Sequence, residues 1–331
     1  MSAKPASFRP TMPETIAGVA LLLVAVAPIV FDVGNYALGL LVSSLVLAGL
    51  GLSWALLGNL GGMVSFGHAA FFGVGAYASA LVSARLGLPV VVAVPLGGLV
   101  ASLSAITMLP TLRLSGPYFA LAILAYAQIF RILATEAASI TGGAGGLQRY
   151  PSLPTILGLD LSSRTGSYLL VLSVVAVFAG VYVAIRRSHV GIALRAIAES
   201  EVATRVVGVD SLRLKAWMLL LSAFMAGVFG ALNAHVIGFL EPDYAFGGSW
   251  SMMPIIAAVF GGYRTVLGPI CGAVAIYLFD QLVAKSLIPV GHEILLGVVL
   301  AVMVLIAPNG IAGFVGGLLD RPKGGRPHVA T

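Results

Sequence analysis

Ten long apolar stretches occupy most of this chain, and they limit what it can fold into more than any other feature. A helix needs roughly 20 residues to cross the ~30 Å apolar core of a bilayer. Charged residues make up 9% of the chain, whereas soluble proteins carry roughly a quarter. The sequence therefore predicts an all-α, polytopic integral membrane protein with about ten transmembrane or re-entrant helices. The predicted spans are 15–31, 36–58, 66–84, 88–110, 117–134, 167–185, 216–238, 250–262, 266–286 and 290–309.

The positions of lysine and arginine predict the orientation of these spans. Basic residues gather in residues 1–14, 186–215 and 311–331. Cytoplasmic segments of membrane proteins carry an excess of such residues, and even numbers of predicted spans separate the three segments. We therefore predict a cytoplasmic N-terminal segment (1–14), one transmembrane domain (15–310) with a cytoplasmic loop at 186–215, and a cytoplasmic tail (311–331). The stretch 250–262 is short and bounded by glycine, which favours a re-entrant or broken helix.

Residues 186–215, called the charged loop below, carry six basic and three acidic residues. A helix drawn through 191–207 places Glu201 and Arg205 four residues apart, in the favourable order for an intrahelical ion pair. Gly208 follows where a helix ends in a left-handed residue. Two interpretations fit: a solvated loop that follows the charge bias, or a short helix that docks into protein. Small residues on its other side would let a backbone approach closely: Ala193, Ala196, Ser200, Ala203 and Thr204.

The stretch "GNLGGMVSFGHAAFFGVGAYASALV", residues 58–82, contains too many glycines for a helix that only faces lipid. Ser65 and His68 place a hydroxyl and an imidazole there, next to Gly67. An ionisable group inside a membrane is by default a functional candidate. His68 could therefore line a substrate path, or it could bond a backbone group and lock two helices together.

The charged loop also carries a family resemblance. "ALRAIAESEVATRVVGV" resembles the cytoplasmic EAA-type loop of permease subunits in ABC importers, and most closely that of branched-chain amino acid permeases. The resemblance implies a coupling helix that docks in a groove of an ATPase subunit. The resemblance implies that Arg195, Glu199, Glu201, Ala203 and Gly208 take part in coupling, and we add Arg205 as the intrahelical partner of Glu201.

Four further segments are similar to the same family. One is the 58–82 stretch, which adds Ser65, Gly67 and His68 to the tentative substrate pathway. "SGPYFALAILAYAQIFRILA" adds Tyr118, which reaches the cavity or anchors at the interface, and has Gln128 where the family often has Glu. "SITGGAGGL" adds Thr141, in a turn, a gate or a docking surface for an external binding protein. "IIAAVFGGYRTVLGPICGA" completes the set, with Tyr263-Arg264 in place of Leu-Gly.

The resemblance implies the permease subunit of an ABC importer for branched-chain or other hydrophobic amino acids, in a bacterial inner membrane with both termini cytoplasmic. It implies as partners two ABC ATPase subunits, a second related permease, a soluble substrate-binding protein and the lipid bilayer, and no nucleic acid. ATP and Mg²⁺ would bind the ATPases, with no cofactor or metal on this chain. Lys285-Ser286 follows Ala284, so no P-loop is present.

Other functions stay open. A permease for urea or short amides belongs to the same family. An ion-coupled secondary transporter would need carboxylates inside the membrane, where Asp280 is nearly alone; this residue carries a proton or pairs with a polar neighbour. An intramembrane enzyme would need a nucleophile with a base, or a metal cluster. The sequence contains neither H-E-x-x-H nor G-x-S-x-G, so we predict that the chain is not an enzyme.

Overall fold

The computed structural model describes residues 34–114, 116–156, 158–262, 265–306 and 310. The predicted N-terminal segment, the first predicted span at 15–31, the tail at 311–331 and the Tyr263-Arg264 pair lie outside the described residues. The helices are α1 (Asn35–Ala55), α2 (His68–Leu86), α3 (Val90–Ser104), α4 (Pro117–Glu136), α5 (Ala138–Thr141), α6 (Arg164–Arg187), α7 (His189–Glu199), α8 (Glu201–Val206), α9 (Ser211–Ile237), α10 (Pro242–Ala245), α11 (Ser249–Gly261), α12 (Leu267–Phe279), α13 (Lys285–Leu287) and α14 (His292–Ile306).

Several α-helices continue into short 3-10 or π-helices. The strands among the described residues are only two residues long. A π-helix at Leu56–Leu60 extends α1, and a second one at Asp280–Ala284 joins α12 to α13. A 3-10 helix at Ala105–Arg113 extends α3, and another lies at Gly143–Gly145. Strands β1 (Thr155–Ile156) and β2 (Leu159–Asp160) pair antiparallel in a two-stranded hairpin.

The predicted all-α membrane architecture is confirmed. Within the described ranges, seven helices are long and apolar enough to cross a bilayer. The 13 residues of α11 extend only about 20 Å, short of the ~30 Å apolar core. The described part of α14 has 15 residues, so the predicted total of about ten spans is not confirmed. The seven are Asn35–Leu60, His68–Leu86, Val90–Arg113, Pro117–Glu136, Arg164–Arg187, Ser211–Ile237 and Leu267–Leu287.

Two buried histidines tie α2 to α9, which run in the same direction. His68, at the start of α2, lies 3.0 Å from the hydroxyl of Ser222 in α9. Ser79, eleven residues further along α2, lies 2.9 Å from Nε2 of His235 near the end of α9. Nδ1 of His235 contacts the carbonyl of Pro151 at 2.7 Å, so this nitrogen carries the proton and Nε2 accepts from Ser79. The two contacts fix the relative height of α2 and α9.

The direction of the helices sorts the connecting segments into two ends of the bundle. The segments 61–67, 112–117 and 186–215 meet at one end, called the loop end. The segments 137–163 and 238–248 meet at the other, called the far end, where Leu147 and Leu240 form a backbone bridge. The spans before and after the charged loop, α6 and α9, therefore run in opposite directions, as expected of successive transmembrane helices.

Glycines let α2, α3 and α9 pack with their backbones in contact. A methyl group on Gly75 would lie far inside van der Waals contact of the carbonyl of Gly227, and one on Gly230 would strike the carbonyl of Phe72. A methyl on Gly97 of α3 would lie 2.5 Å from the carbonyl of Gly75. Close approach of this kind is typical of helices that associate in membranes, where water does not drive packing. These three helices therefore pack against one another with little space between their backbones.

Candidate functional site in the charged loop and the adjoining cavity

The charged loop contains two short helices where the sequence predicted one. The break falls at Ser200, whose backbone is extended (φ −157°, ψ 100°) between α7 and α8. Its hydroxyl accepts a hydrogen bond from the N–H of Ala203 at 3.3 Å and so caps α8. A serine hydroxyl competes with helical hydrogen bonding and favours a cap. The prediction of a continuous helix over 191–207 was therefore wrong at this one residue.

Gly208 ends α8 as predicted. Its φ is +86°, in the left-handed region that glycine adopts without steric cost. The N–H of Gly208 donates to the carbonyl of Arg205 at 3.0 Å, and the N–H of Val209 donates to the carbonyl of Thr204 at 3.3 Å. This pair of bonds is a Schellman motif. It turns the chain sharply from α8 toward α9.

Glu201 is the centre of a polar cluster that joins α8 to α9. One carboxylate oxygen accepts from Arg205 at 2.6 Å and from the Ser211 hydroxyl at 2.8 Å, and the other accepts from Lys215 at 2.6 Å. Nε of Arg205 also donates to Ser211 at 2.8 Å. The predicted Glu201–Arg205 pair is present. The sequence reasoning missed Ser211 and Lys215, because only the turn at Gly208 brings them close to Glu201.

Burial raises the pKa of Glu201, but hydrogen bonds from Lys215 and Ser211 and the charges of Lys215 and Arg205 outweigh it and leave the pKa below its ordinary value. The carboxylate therefore stabilises the folded loop at every pH above its ordinary pKa. That contribution is lost as the pH falls through the lowered value. The cluster is intact at neutral pH.

Replacing Glu201 with glutamine should loosen α8, because Lys215 is 12% exposed and would lose its anionic partner. We expect a local loss of roughly 1–3 kcal/mol, measured as faster amide hydrogen exchange across α8 at neutral pH. In the unmodified protein, the protection factors of α8, which are corrected for the intrinsic pH dependence of exchange, should also fall in acid. Glu199→Gln is the matched control, since the Glu199 carboxylate forms no ion pair within the described ranges. Equal effects from both changes would contradict the role of the cluster.

A groove on the outer side of the charged loop is lined largely by the small side chains that the sequence places on one side of it. The groove has a volume of about 510 Å³ and lies against both α7 and α8. Val202, Val206 and Val207 stand beside it with more than three quarters of their surface exposed. The predicted small residues that line it are Ala193, Ala196, Ser200, Ala203 and Thr204.

Arg195 holds the charged loop to the helix before it. Its guanidinium donates to the carbonyl of Arg186 at 3.0 Å and to that of Gly191 at 3.2 Å. The hydroxyl of Ser188 caps α7 through the N–H of Gly191 at 3.3 Å. The loop is therefore attached to α6 at its start and, through Glu201, to α9 at its end.

A cavity of about 730 Å³ opens between the charged loop, the segment 61–66 and the start of α4. Its charged lining residues are Glu199, Glu201 and Lys215, all from the loop side. The opposite walls are apolar or glycine: Gly61, Gly62, Met63, Val64, Phe66, Leu112, Leu114, Gly116, Pro117, Phe119, Ala120, Leu121 and Leu124. A molecule with one charged and one apolar end matches this division.

Ser65 and His68 lie together at the start of α2 and are fully buried. Nδ1 of His68 is 3.0 Å from the Ser65 hydroxyl, and Nε2 is 3.0 Å from Ser222. Ser222 also contacts the carbonyl of Ser53 at 2.8 Å. All contacts are satisfied if Nε2 carries the proton, Ser222 donates to Ser53 and Ser65 donates to Nδ1. The geometry is that of a lock between α1, α2 and α9.

The other tentative pathway residues are spread over both ends. Gly67 packs against the backbone of Ile123 in α4. Tyr118, at the loop end of α4, is 70% exposed. Thr141, at the far end, is buried and donates to the carbonyls of Ala134 and Ala137. The structure therefore brings Ser65, Gly67 and His68 together, and places Thr141 apart from them.

Asp280 lies in the π-helix after α12 and is 2% exposed. Its carboxylate oxygens are 3.6 Å from Nζ of Lys285 and 3.5 Å from Nε2 of His292. Both neighbours are close in sequence, and both distances exceed those of ordinary hydrogen bonds. No group of His, Cys, Asp and Glu within the described residues could hold a metal ion.

A bundle of apolar spanning helices, with one large polar loop and a cavity opening beside it, defines a multi-pass membrane transport protein. The chain belongs to the family described as "Branched-chain amino acid transport system / permease component", whose family model matches residues 36–307. This confirms the resemblance found in the sequence.

Named relatives agree with the family. The "High-affinity branched-chain amino acid transport system permease protein LivM" of Escherichia coli (strain K12) is 30% identical over 336 residues, which is 93% of this chain and 77% of the relative. LivM of Salmonella typhimurium (strain LT2) is 29% identical with the same coverage. LivH of E. coli (strain K12) is 29% identical over 129 residues, 39% of this chain and 41% of the relative. No solved structure is significantly similar to the chain.

Proposed function

We propose that the chain is the permease subunit of an ABC importer and forms part of the translocation pathway for branched-chain or other hydrophobic amino acids. The observation that carries this proposal is the groove of small residues on the charged loop, beside exposed valines and the open cavity. Exposed apolar surface on an otherwise polar loop is typical of an interaction site. ATPase subunits, which hold ATP and Mg²⁺, bind there.

The attachment of the charged loop explains how its movement reaches the bundle. A force applied to α7 and α8 passes to α6 through the bonds of Arg195 and to α9 through the Glu201–Lys215 ion pair. Because α9 packs tightly against α2 and α3, these helices follow it. The wall of the cavity at the start of α4 then shifts relative to the loop.

The cavity lining supports the substrate class. A hydrophobic amino acid has an apolar side chain and a zwitterionic end, and the cavity has apolar walls opposite Glu199, Glu201 and Lys215. Urea has no apolar part, and a short amide has only one or two carbons that would benefit from these walls, fewer than a branched-chain side chain. Branched-chain or similar amino acids therefore fit better than urea or short amides.

The complete transporter contains a second related permease, two ABC ATPase subunits and a soluble substrate-binding protein. It lies in a bacterial inner membrane, with the loop end and both termini in the cytoplasm. The far end, which holds Thr141 and the segment 238–248, receives the binding protein. The basic excess of the charged loop supports this orientation.

Reconstitution tests the proposal directly. The full complex is placed in liposomes, with leucine and the binding protein on the side of the membrane that the far end faces. Leucine should accumulate on the opposite side only when ATP is present there, at the loop end. The chain alone should hydrolyse no ATP. Leucine uptake that needs an ion gradient instead of ATP, or ATP turnover by the chain alone, would overturn the proposal.

A further inference from the structure

One spanning helix exposes polar side chains in its middle. Of the seven helices long enough to cross a bilayer, α4 has the smallest share of its apolar stretch buried inside the subunit. Gln128 is exposed although it is near the centre of the helix. A carboxamide at that depth costs free energy if it faces lipid. The outer face of α4 therefore contacts water or protein in the assembled transporter. Its exposed residues recur at helical spacing: Tyr118, Leu121, Ala125, Gln128 and Ile132.

An exposed ion pair continues this face toward the far end. Nη1 of Arg131 is 2.8 Å from Oδ1 of Asp243 in α10, and the two side chains are 43% and 75% exposed. Nε of Arg131 donates to Oε1 of Gln128 at 3.0 Å, which orients the guanidinium. Arginine has five N–H donors in a planar fork, so this arrangement leaves donors for a further acceptor.

We propose that Arg131 and Asp243, oriented by Gln128, bind the zwitterionic end of the transported amino acid. Arg131 binds the α-carboxylate and Asp243 binds the α-ammonium group. This inference rests on the proposed function and identifies the residues that bind the transported substrate.

The chemistry of the pair suits a transient site. Exposed ion pairs contribute little to stability, so Arg131 and Asp243 separate at low cost. A zwitterion brings one charge of each sign, and both protein charges keep a partner when it replaces their mutual contact. Ile132, more than half exposed and four residues after Gln128, offers apolar surface on the same face for the substrate side chain. Because this face is on the outside of the subunit, the second permease supplies the opposite wall.

The pathway would then follow α4 from one end to the other. Gln128 and Arg131 lie in the far half of the helix, and Leu121 and Leu124 line the cavity at the loop end. A substrate released from the ion pair moves along the exposed face of α4 and reaches the cavity beside the charged loop.

Uptake by variants of the complete complex tests the site. Arg131→Gln and Asp243→Asn should each lower leucine uptake about tenfold or more, while binding protein with leucine still stimulates ATP hydrolysis. Arg131→Lys should recover part of the loss, since it keeps the charge but not the fork. Arg164→Gln, an exposed arginine at the same end, should leave uptake unchanged. Normal uptake by Arg131→Gln would overturn the proposal.

A charge exchange separates substrate binding from a structural role. In the double variant Arg131→Asp/Asp243→Arg the ion pair can form again, but Gln128 no longer holds the guanidinium. The positive and negative charges have also exchanged places, so they no longer match the carboxylate and ammonium groups of the bound substrate. Uptake should stay low. Recovery to the level of the unmodified complex would show that the pair only ties α10 to α4.

Thiol labelling tests the exposed face while both charges of the ion pair are kept. In a Cys271→Ser background, which removes the free thiol, Gln128→Cys should react with a membrane-impermeant charged thiol reagent, and excess leucine should slow the reaction. Val177→Cys, an equally central and 63% exposed position on α6, should stay unreacted. If both cysteines resist the reagent, α4 does not line a water-filled path and the site is excluded. Failure of the unmodified complex to import leucine would instead reject the proposed function.

Discussion

Replacing Ala203 with tryptophan is expected to abolish ATP-driven leucine uptake while the chain still inserts and folds. Ala203 is exposed and lines the groove between α7 and α8, so the new side chain points away from the bundle. An indole ring would fill the space that a partner must occupy. Losing a docked contact of this kind typically costs several kcal/mol, so uptake should fall by at least about 100-fold. The ATPase subunits should also fail to co-purify.

Two variants control for side-chain size and for damage to the fold. Ala203→Ser keeps a small side chain and should retain uptake and co-purification. Leu159→Trp adds an indole to an exposed strand at the far end, away from the proposed ATPase docking surface, and co-purification of the ATPase subunits should be unchanged. Normal co-purification of the ATPases with Ala203→Trp would show that the groove is not their docking surface.

Replacing Gly75 with alanine is expected to prevent the chain from reaching its stable fold. Gly75 lies where α2 contacts both α9 and α3, and the added methyl would overlap the backbone of Gly227. The obstacle is backbone, which cannot move aside as a flexible side chain could. Overpacking in a tight core costs about 1–3 kcal/mol and occasionally more. Here two helices must separate, so we expect the upper end of that range and a marked fall in folded yield and in thermal stability in detergent.

Gly180→Ala is the matched control for this change. Gly180 also lies within a spanning helix, α6, but nothing is within 4 Å of a methyl group built there. Alanine is favoured over glycine inside a helix by about 0.8–1 kcal/mol, so Gly180→Ala should be neutral or slightly stabilising. Similar loss of stability in both variants would contradict the assigned packing.

The spans could be predicted well because the length of an apolar run is a property of the local sequence. Helix α9 shows the limit of predicting helices from apolar runs, because it begins at Ser211, five residues before the apolar stretch that starts at residue 216. The Asp210 side chain caps it there by accepting from the N–H of Arg213. Polar residues of the first turn, including Lys215, therefore belong to the helix although they do not belong to the apolar run.

The contacts within the site could be predicted less well, because most of them join residues far apart in sequence. The pair Glu201–Arg205 follows from helical spacing alone. The partner of His68 is 154 positions away, and Asp243 is 112 positions from Arg131. One signal was present for the second case: Arg131 and Gln128 interrupt an otherwise apolar stretch. Such an interruption identifies a candidate but not its partner.

The two histidine contacts between α2 and α9 have a consequence for the transport cycle. His68 fastens one end of the pair and His235 the other, so the two contacts oppose sliding and twisting between these helices. In the proposed transport cycle we therefore expect α2 and α9 to move together as one block. We expect the relative motion to lie along less tightly packed neighbours such as α4, as a rocking of the block against that helix.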